Sequence, residues 1–550
     1  MFGGIIDLRK LFLFLLIISF FATASTCRRR NTDAVTVSLS EKFTAFDTLT
    51  SAASDVAAER VKALMFNALV KKDANFNYVG ELAKDIKTSE DGMTITFTLQ
   101  DGVKFHNGKE FTSADVKYTF DELFKANGFK SGAFFDTLPD ESSPSATSPK
   151  PADNSNSPAK APAEPKTKRV PHIVSIATPD AKTVIFTVTR PALRNQLLSN
   201  LVAIPIIPTD SAAQQKDKPV GSGPFKFVAF DASQNIVEME ANTEYWDGAP
   251  KIPKLRVKTV TDAQSLQSEL QSGGVDIAPL PTNLPPDVLK AMNGVGNLKV
   301  DQFDGSNIQY LVFNAQSAPL NNIKIRQAIG YAIDRQKIVT QLFFDQAKLA
   351  SSILPPQSWA YSPGSTYSYD PAKAKQLLRE AGYRGEAITF KYGAGNAATN
   401  QYAQVIQSAL NDIGLNVRIE TLEVNTIRQQ LAQGQFQIYT GQWVGGNQDP
   451  IFLRDLFSST KIPGGAISCC NRSRYSNPEV DKTVEDAVNS VDRAKAKELY
   501  GKTWDIVSNE MPLLPLWYPA NMVISNKRIG GIKVGASGDW SFIKDITVNN

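Results

Sequence analysis

The sequence predicts a layered α/β protein of two or more lobes, on three observations. Its second half alternates helix-patterned and strand-patterned segments, the arrangement that lays helices over a sheet. Its first half carries a half-buried strand, a hairpin turn and an amphipathic helix in close order. The chain has 550 residues, and single hydrophobic cores stop growing near about 250–300 residues.

Taken in order, Arg9 and Lys10 precede an uncharged apolar run over 11–22, and small residues Ala24, Ser25 and Thr26 then lead to Cys27. A basic start, apolar middle and small-residue site read as an export signal over 1–26. The run is too short for a permanent span, which needs roughly 20 apolar residues. The segment resembles a bacterial lipoprotein signal, which implies that Cys27 is the lipidated first residue of the mature chain. Thr26 stands where that pattern prefers Gly, Ala or Ser, and Arg28, Arg29 and Arg30 follow closely. Residues 27–36 are then a tether.

"MTITFTLQDGVKF" from Met93 alternates apolar and polar side chains and turns at Asp101-Gly102, a strand with a hairpin signal. "FTSADVKYTFDELF" offers Thr112 or Ser113 as a cap and Val116, Phe120, Leu123 and Phe124 as one apolar face. Residues 140–169 are rich in Pro, Ser, Ala and Lys, cannot bury enough surface to order themselves, and are expected to be a disordered insert. Strand character resumes at "KTVIFTV". In the second half, Asn321 or Asn322 caps a helix whose stripe runs Ile325, Ala328, Ile329, Ala332, Ile333, Val339. "YDPAKAKQLLREAGY" has Asp370 as cap, Pro371 at the first helical position and Gly382 as terminator. "AQVIQSALNDIGLNVRIETL" reads as helix, stop at Gly414, strand, and "GQFQIYTGQW" as a further strand.

Composition excludes several functions. With 42% hydrophobic and 21% charged residues and a formal net charge of +4, the chain is ordinary soluble protein, and the balance argues against nucleic-acid binding. His106 and His172 are the only histidines, too few for a conventional His-based metal cluster, and no Ser-His-Asp set can be assembled. Cys469 and Cys470 are adjacent and support no long-range disulfide framework; they join in a strained ring or stay reduced. Gly221-Ser222-Gly223 is a turn rather than a phosphate loop, because no lysine follows at the required place. No catalytic residue, metal site or cofactor is therefore expected.

Several passages together resemble the family 5 extracellular solute-binding proteins: "SEDGMTITFTLQDGVKFHNGKEFTSADV", "GSGPFKF", "YWDGAP", "IRQAIGYAIDRQKIV", "YDPAKAKQLLREAGY" and "MPLLPLWY", in the family's order. The resemblance implies a two-lobed periplasmic-binding-protein type II fold of the large cluster-C variant, with a hinge and an interlobe cleft. It places lobe I at 37–308, lobe II at 309–514 and a return to lobe I at 515–550. His106, in "VKFHNGKEFT", is then a scaffold residue.

Ligands of open α/β sheets collect beyond the carboxyl ends of strands, and "TGQWVGGNQDP" follows such a strand. Trp443 is expected to wall the cleft, Gly445 and Gly446 to let backbone approach a ligand, and Asn447 to lie beside them. Asp449, before Pro450, has the spacing of a cap and ranks as one before ligand contact. Peptide-binding members of the family carry an acid just after the Trp-x-x unit, where this chain has Gly446. Some dipeptide receptors use an arginine in the stretch between Lys391 and Arg418, which holds no Lys or Arg here.

The expected function is capture of an oligopeptide-like solute outside the cytoplasmic membrane by a monomer tethered at Cys27, and delivery to an ABC permease with its ATPase. The same fold binding an oligosaccharide, opine or metal chelate, or acting as a sensory receptor, is the alternative; a secreted hydrolase lacks its residues.

Overall fold

The computed structural model describes residues 34–43, 45–52, 55–139, 167–464 and 470–549. The expected signal segment, Cys27, Cys469 and the insert's interior at 140–166 lie outside them. Two sheets organise the chain. The first has seven strands in the order Phe225–Asp231, Ile236–Ala241, Lys254–Thr259, Ala34–Leu39, Ile277–Pro279, Asn521–Asn526 and Leu298–Phe303. The second has six, in the order Ala347–Leu349, Leu513–Pro519, Ile308–Phe313, Ile438–Trp443, Ala387–Gly393 and Asn416–Leu422. An accessory sheet of Ala83–Thr88, Thr94–Leu99, Thr183–Val188 and Ile173–Asp180 extends the first lobe.

Central strands are buried on both faces, so their sequences are apolar throughout rather than alternating. In Ile308–Phe313, Leu311 and Phe313 enter one core, shared with helices Ile323–Ala332, Pro371–Glu380 and Ala397–Asp412. Ile308, Tyr310 and Val312 enter the other, shared with helices Pro478–Asn489 and Arg493–Glu510. Thr94–Leu99 keeps the alternation its sequence announces, with Ile95, Phe97 and Leu99 buried.

The local signals hold where chemistry is local. Thr112 and Asp115 form a capping box at Ser113–Ala126, and the side chain of Asp370 accepts from the Lys373 N–H ahead of Pro371–Glu380. Asn322 is the cap of Ile323–Ala332. That helix stops before Ile333 and Val339, which the apolar stripe had included, because Asp334 caps a new short helix at Arg335–Lys337.

Three boundaries differ from expectation. Residues 34–36, assigned to the tether, begin the central strand Ala34–Leu39, whose "AVTVSL" is itself strand-patterned. Residues 167–169, assigned to the insert, lie in strand Thr167–Pro171, which pairs with Phe135–Pro139. The division after 514 falls inside strand Leu513–Pro519 of the second sheet, while Asn521–Asn526 pairs in the first. The run across that crossing is almost continuously apolar, so no change of pattern marks it.

Among the described residues, the lobes are joined by two connectors, 304–307 and the single residue Ala520. They lie against each other. A Cβ on Gly305 would overlap the Pro519 carbonyl, and Asn521 Nδ2 donates to the Asp304 carbonyl at 3.0 Å. Paired, short connectors of this kind are what hinge closure requires.

Candidate functional site

The loop singled out in the sequence leaves the second sheet beside the hinge. Strand Ile438–Trp443 runs antiparallel to Ile308–Phe313 with Ile308 opposite Trp443, so the strand ends where connector 304–307 enters. The Trp443 indole stacks on Tyr310 at 6.2 Å and 19°, meets Phe452 edge-on at 4.9 Å, and lies under the Arg472 guanidinium at 5.1 Å. It is half-buried, a rigid aromatic wall. Val444 beside it is 63% exposed.

Gly445 sits at φ +75°, where L side chains are strained, and its N–H donates to Asn307 Oδ1 at 3.2 Å. No atom crowds the place its Cβ would take. Gly446 is exposed, and a Cβ there would meet the Phe452 ring at 3.1 Å. Asn447 is fully buried, and its Nδ2 donates to the carbonyls of Ser306 at 2.7 Å and Ile353 at 3.0 Å. Its amide pins the loop to the connector. Asp449 accepts from the Ile451 N–H at 2.9 Å, the local turn its spacing suggests, and its other oxygen accepts from the Tyr78 hydroxyl.

That last contact crosses between lobes. Tyr78 lies on the hairpin Val70–Lys72 and Tyr78–Gly80 of the first lobe, from which Lys72 Nζ also donates to Gln448 Oε1 at 2.9 Å. Gln448 Nε2 in turn donates to Ser306 Oγ at 2.9 Å. Burial, reinforced by Asp449, raises the Tyr78 hydroxyl well above its ordinary range, so it remains a donor. Burial lowers the Lys72 ammonium, and Asp449 opposes that shift. Seven consecutive residues, 443–449, thus join the second sheet, the hinge and the first lobe.

Lys72, Tyr78, Gln448 and Arg472 were not found from sequence. Lys72 and Gln448 are 376 residues apart, and nothing periodic relates them. His106 behaves as a scaffold residue: its Nδ1 accepts from the Gly221 N–H at 3.3 Å and its Nε2 donates to the Gly223 carbonyl at 3.0 Å. Burial lowers it to about 4, keeping the ring neutral. It locks the Gly221–Gly223 turn, where a Cβ on either glycine would collide with the Met65 backbone. Cys470 is disulfide-bonded. Among the described residues, no group of three or more His, Cys, Asp or Glu side chains is placed to hold a metal, and no helix is long and apolar enough to cross a membrane.

Comparison with known proteins gives the family and the fold. Heme-binding protein A of Haemophilus influenzae is 27% identical over 490 residues, covering 85% of this chain and 84% of that one. Oligopeptide-binding protein AppA of Bacillus subtilis is 27% identical over 521 residues, covering 91% and 89%. The crystal structure of the ABC transporter substrate-binding protein CtaP of Listeria monocytogenes superposes with a TM-score of 0.77 at 21% identity, covering 94% of this chain and 99% of that one, a likeness of fold. Residues 77–464 match the family described as bacterial extracellular solute-binding proteins, family 5. With that match spanning most of the chain, and the two-lobed fold and hinge-side loop in place, the protein belongs to the family 5 bacterial extracellular solute-binding proteins.

Proposed function

We propose that the protein is the extracytoplasmic substrate-binding receptor of an ABC importer and takes an oligopeptide-like solute between its lobes. The observation that carries this reading is the continuity of the loop. A solute seated against Trp443 and the open backbone of Gly445 and Gly446 touches a segment bonded at once to connector 304–307 and to the first-lobe hairpin. Binding there is read as closure, because only a ligand with different affinities for open and closed arrangements shifts the balance between them.

The chemistry of the loop narrows the solute. Gly446 supplies no carboxylate for a free amino terminus, and residues 392–417 supply no cation for a carboxylate. A buried charged terminus left unpaired costs several kcal/mol. The solute is therefore a longer or end-blocked peptide held along its backbone, rather than a zwitterionic dipeptide. The name of the AppA relative supports the peptide class. The closed form is handed to a membrane permease whose ATPase supplies the energy, and the receptor acts as a monomer in the periplasm or on the outer face of the cytoplasmic membrane, held there through a lipid on Cys27.

Native mass spectrometry of the exported chain, purified without refolding, tests this directly. A peptide released on denaturation supports the reading. An empty protein whose melting temperature does not move across a panel of peptides overturns it, since a solute at 100 times its Kd stabilises by about 2.7 kcal/mol.

A further inference from the structure

A cavity lies at the seam between the lobes, with Asp449 in its wall and neither Gly445 nor Gly446 lining it. Its volume is about 210 Å³, more than the ~150 Å³ that suffices to hold a benzene ring. One wall comes from the first lobe, with Asn77, Tyr78 and Arg194 on the hairpin and on helix Leu193–Leu201. The other comes from the second lobe, with Trp359, Tyr500 and Arg493. Of the residues singled out in the sequence, Asp449 alone lines it.

The aromatic side is preformed. Trp359 and Tyr500 meet edge-to-face at 6.0 Å and 74°, and the Arg493 guanidinium lies over the Trp359 ring at 4.7 Å while donating to Asn77 Oδ1 across the seam. The charged side is incomplete. Among the described residues, the half-buried Arg194 guanidinium makes no hydrogen bond or ion pair, although it faces the same space. Asp449 does not supply the missing partner: its oxygens already accept from Ile451 N–H and Tyr78 hydroxyl. Asp73 acts on Arg493 from the hairpin, Lys72 acts on Asp449, and Arg454, Asp455 and Glu485 act on Tyr500 from the second lobe, so with Arg194 counted the surrounding charges balance, and Arg194 stands out by its geometry, as a guanidinium with no carboxylate in contact. A planar guanidinium without a partner, beside an edge-to-face aromatic pair in a cavity of this size, matches one ligand chemistry: a carboxylate on an aryl body.

We propose that this cavity is a second small-molecule site that binds an aryl carboxylate, the ring against Trp359 and Tyr500 and the carboxylate on Arg194. Because its walls come from both lobes, occupancy favours the arrangement in which they meet, and it couples reciprocally to capture at the glycine loop.

The test uses the purified chain and 3-phenylpropionate as probe, with 3-phenylpropionamide as the uncharged control. Calorimetry is expected to give saturable one-to-one binding of the carboxylate with a Kd of about 0.1–1 mM for a ligand of this size. The amide, and the carboxylate with Arg194→Gln, each bind at least about tenfold more weakly. Trp359→Leu also weakens binding, which gives a second variant from the opposite wall. Absence of saturable binding overturns the proposal, as does equal binding of carboxylate and amide. Normal binding of the carboxylate by both Arg194→Gln and Trp359→Leu places the probe elsewhere and overturns it too. These outcomes are independent of peptide capture, which is scored separately by the released solute.

Discussion

Removing one hydroxyl at the lobe seam isolates what holds the closed arrangement. In Tyr78→Phe the ring stays and the donor to Asp449 Oδ2 is lost. Asp449 is only 9% exposed, so solvent replaces that donor poorly. A hydrogen bond to a charged group contributes about 1.5–3 kcal/mol, and the bond exists only where the lobes meet, so the whole loss falls on the closed side. At 1.4 kcal/mol per tenfold change, the closed-to-open ratio drops about 10- to 150-fold; Lys72, which still faces Gln448, keeps the effect toward the lower end. Small-angle scattering at a fixed, half-saturating solute concentration should show a larger radius of gyration than for the unmodified protein, and solute affinity should weaken by up to the same factor. Tyr383→Phe is the control, since that hydroxyl donates to the Glu386 carbonyl within one lobe. If Tyr78→Phe closes and binds like the unmodified protein, the seam contact plays no part in closure and the reasoning fails.

Three further outcomes are expected. His106 is lowered by burial from 6.5 to about 4, so between those values the unfolded chain takes up a proton that the folded one refuses. Stability contributed by this ring is complete above pH 6.5 and is lost as pH falls toward 4, on the order of 3 kcal/mol over the window. Urea unfolding at pH 7 and pH 4 should show His106→Gln losing less stability than the unmodified chain; equal losses would contradict the assignment. Gly223→Ala drives a methyl into the Met65 backbone and should destabilise by about 3 kcal/mol, read as a lower urea midpoint with unchanged slope. Gly446→Asp places a carboxylate on an exposed loop position, with a small displacement of the Phe452 ring. It should strengthen binding of a peptide with a free amino terminus about tenfold over its N-acetylated form, a preference the native loop lacks.

Much of this was legible because it is local. Asp370, Pro371 and Gly382 delimit a helix within 13 residues, and the Thr94–Leu99 alternation needs no knowledge of the strand opposite. Asp449 was half legible: the turn to Ile451 follows from spacing, whereas Tyr78 arrives from 371 residues away. Asn447 carries no mark in the sequence that its amide is buried against Ser306 and Ile353, because those carbonyls are brought to it only when the hinge forms. Arg472 reaches Trp443 for the same reason, through a segment whose own pattern is a turn. The family resemblance supplied the two-lobed frame; the register of the seam came only from the fold.

The central claim is that a solute held by the 443–449 loop draws the lobes together. Its most direct test is small-angle scattering across a titration with the solute that the purified protein releases on denaturation. The account predicts a saturable fall in radius of gyration with a midpoint equal to the calorimetric Kd. A radius that stays constant while calorimetry shows the site filled would contradict it.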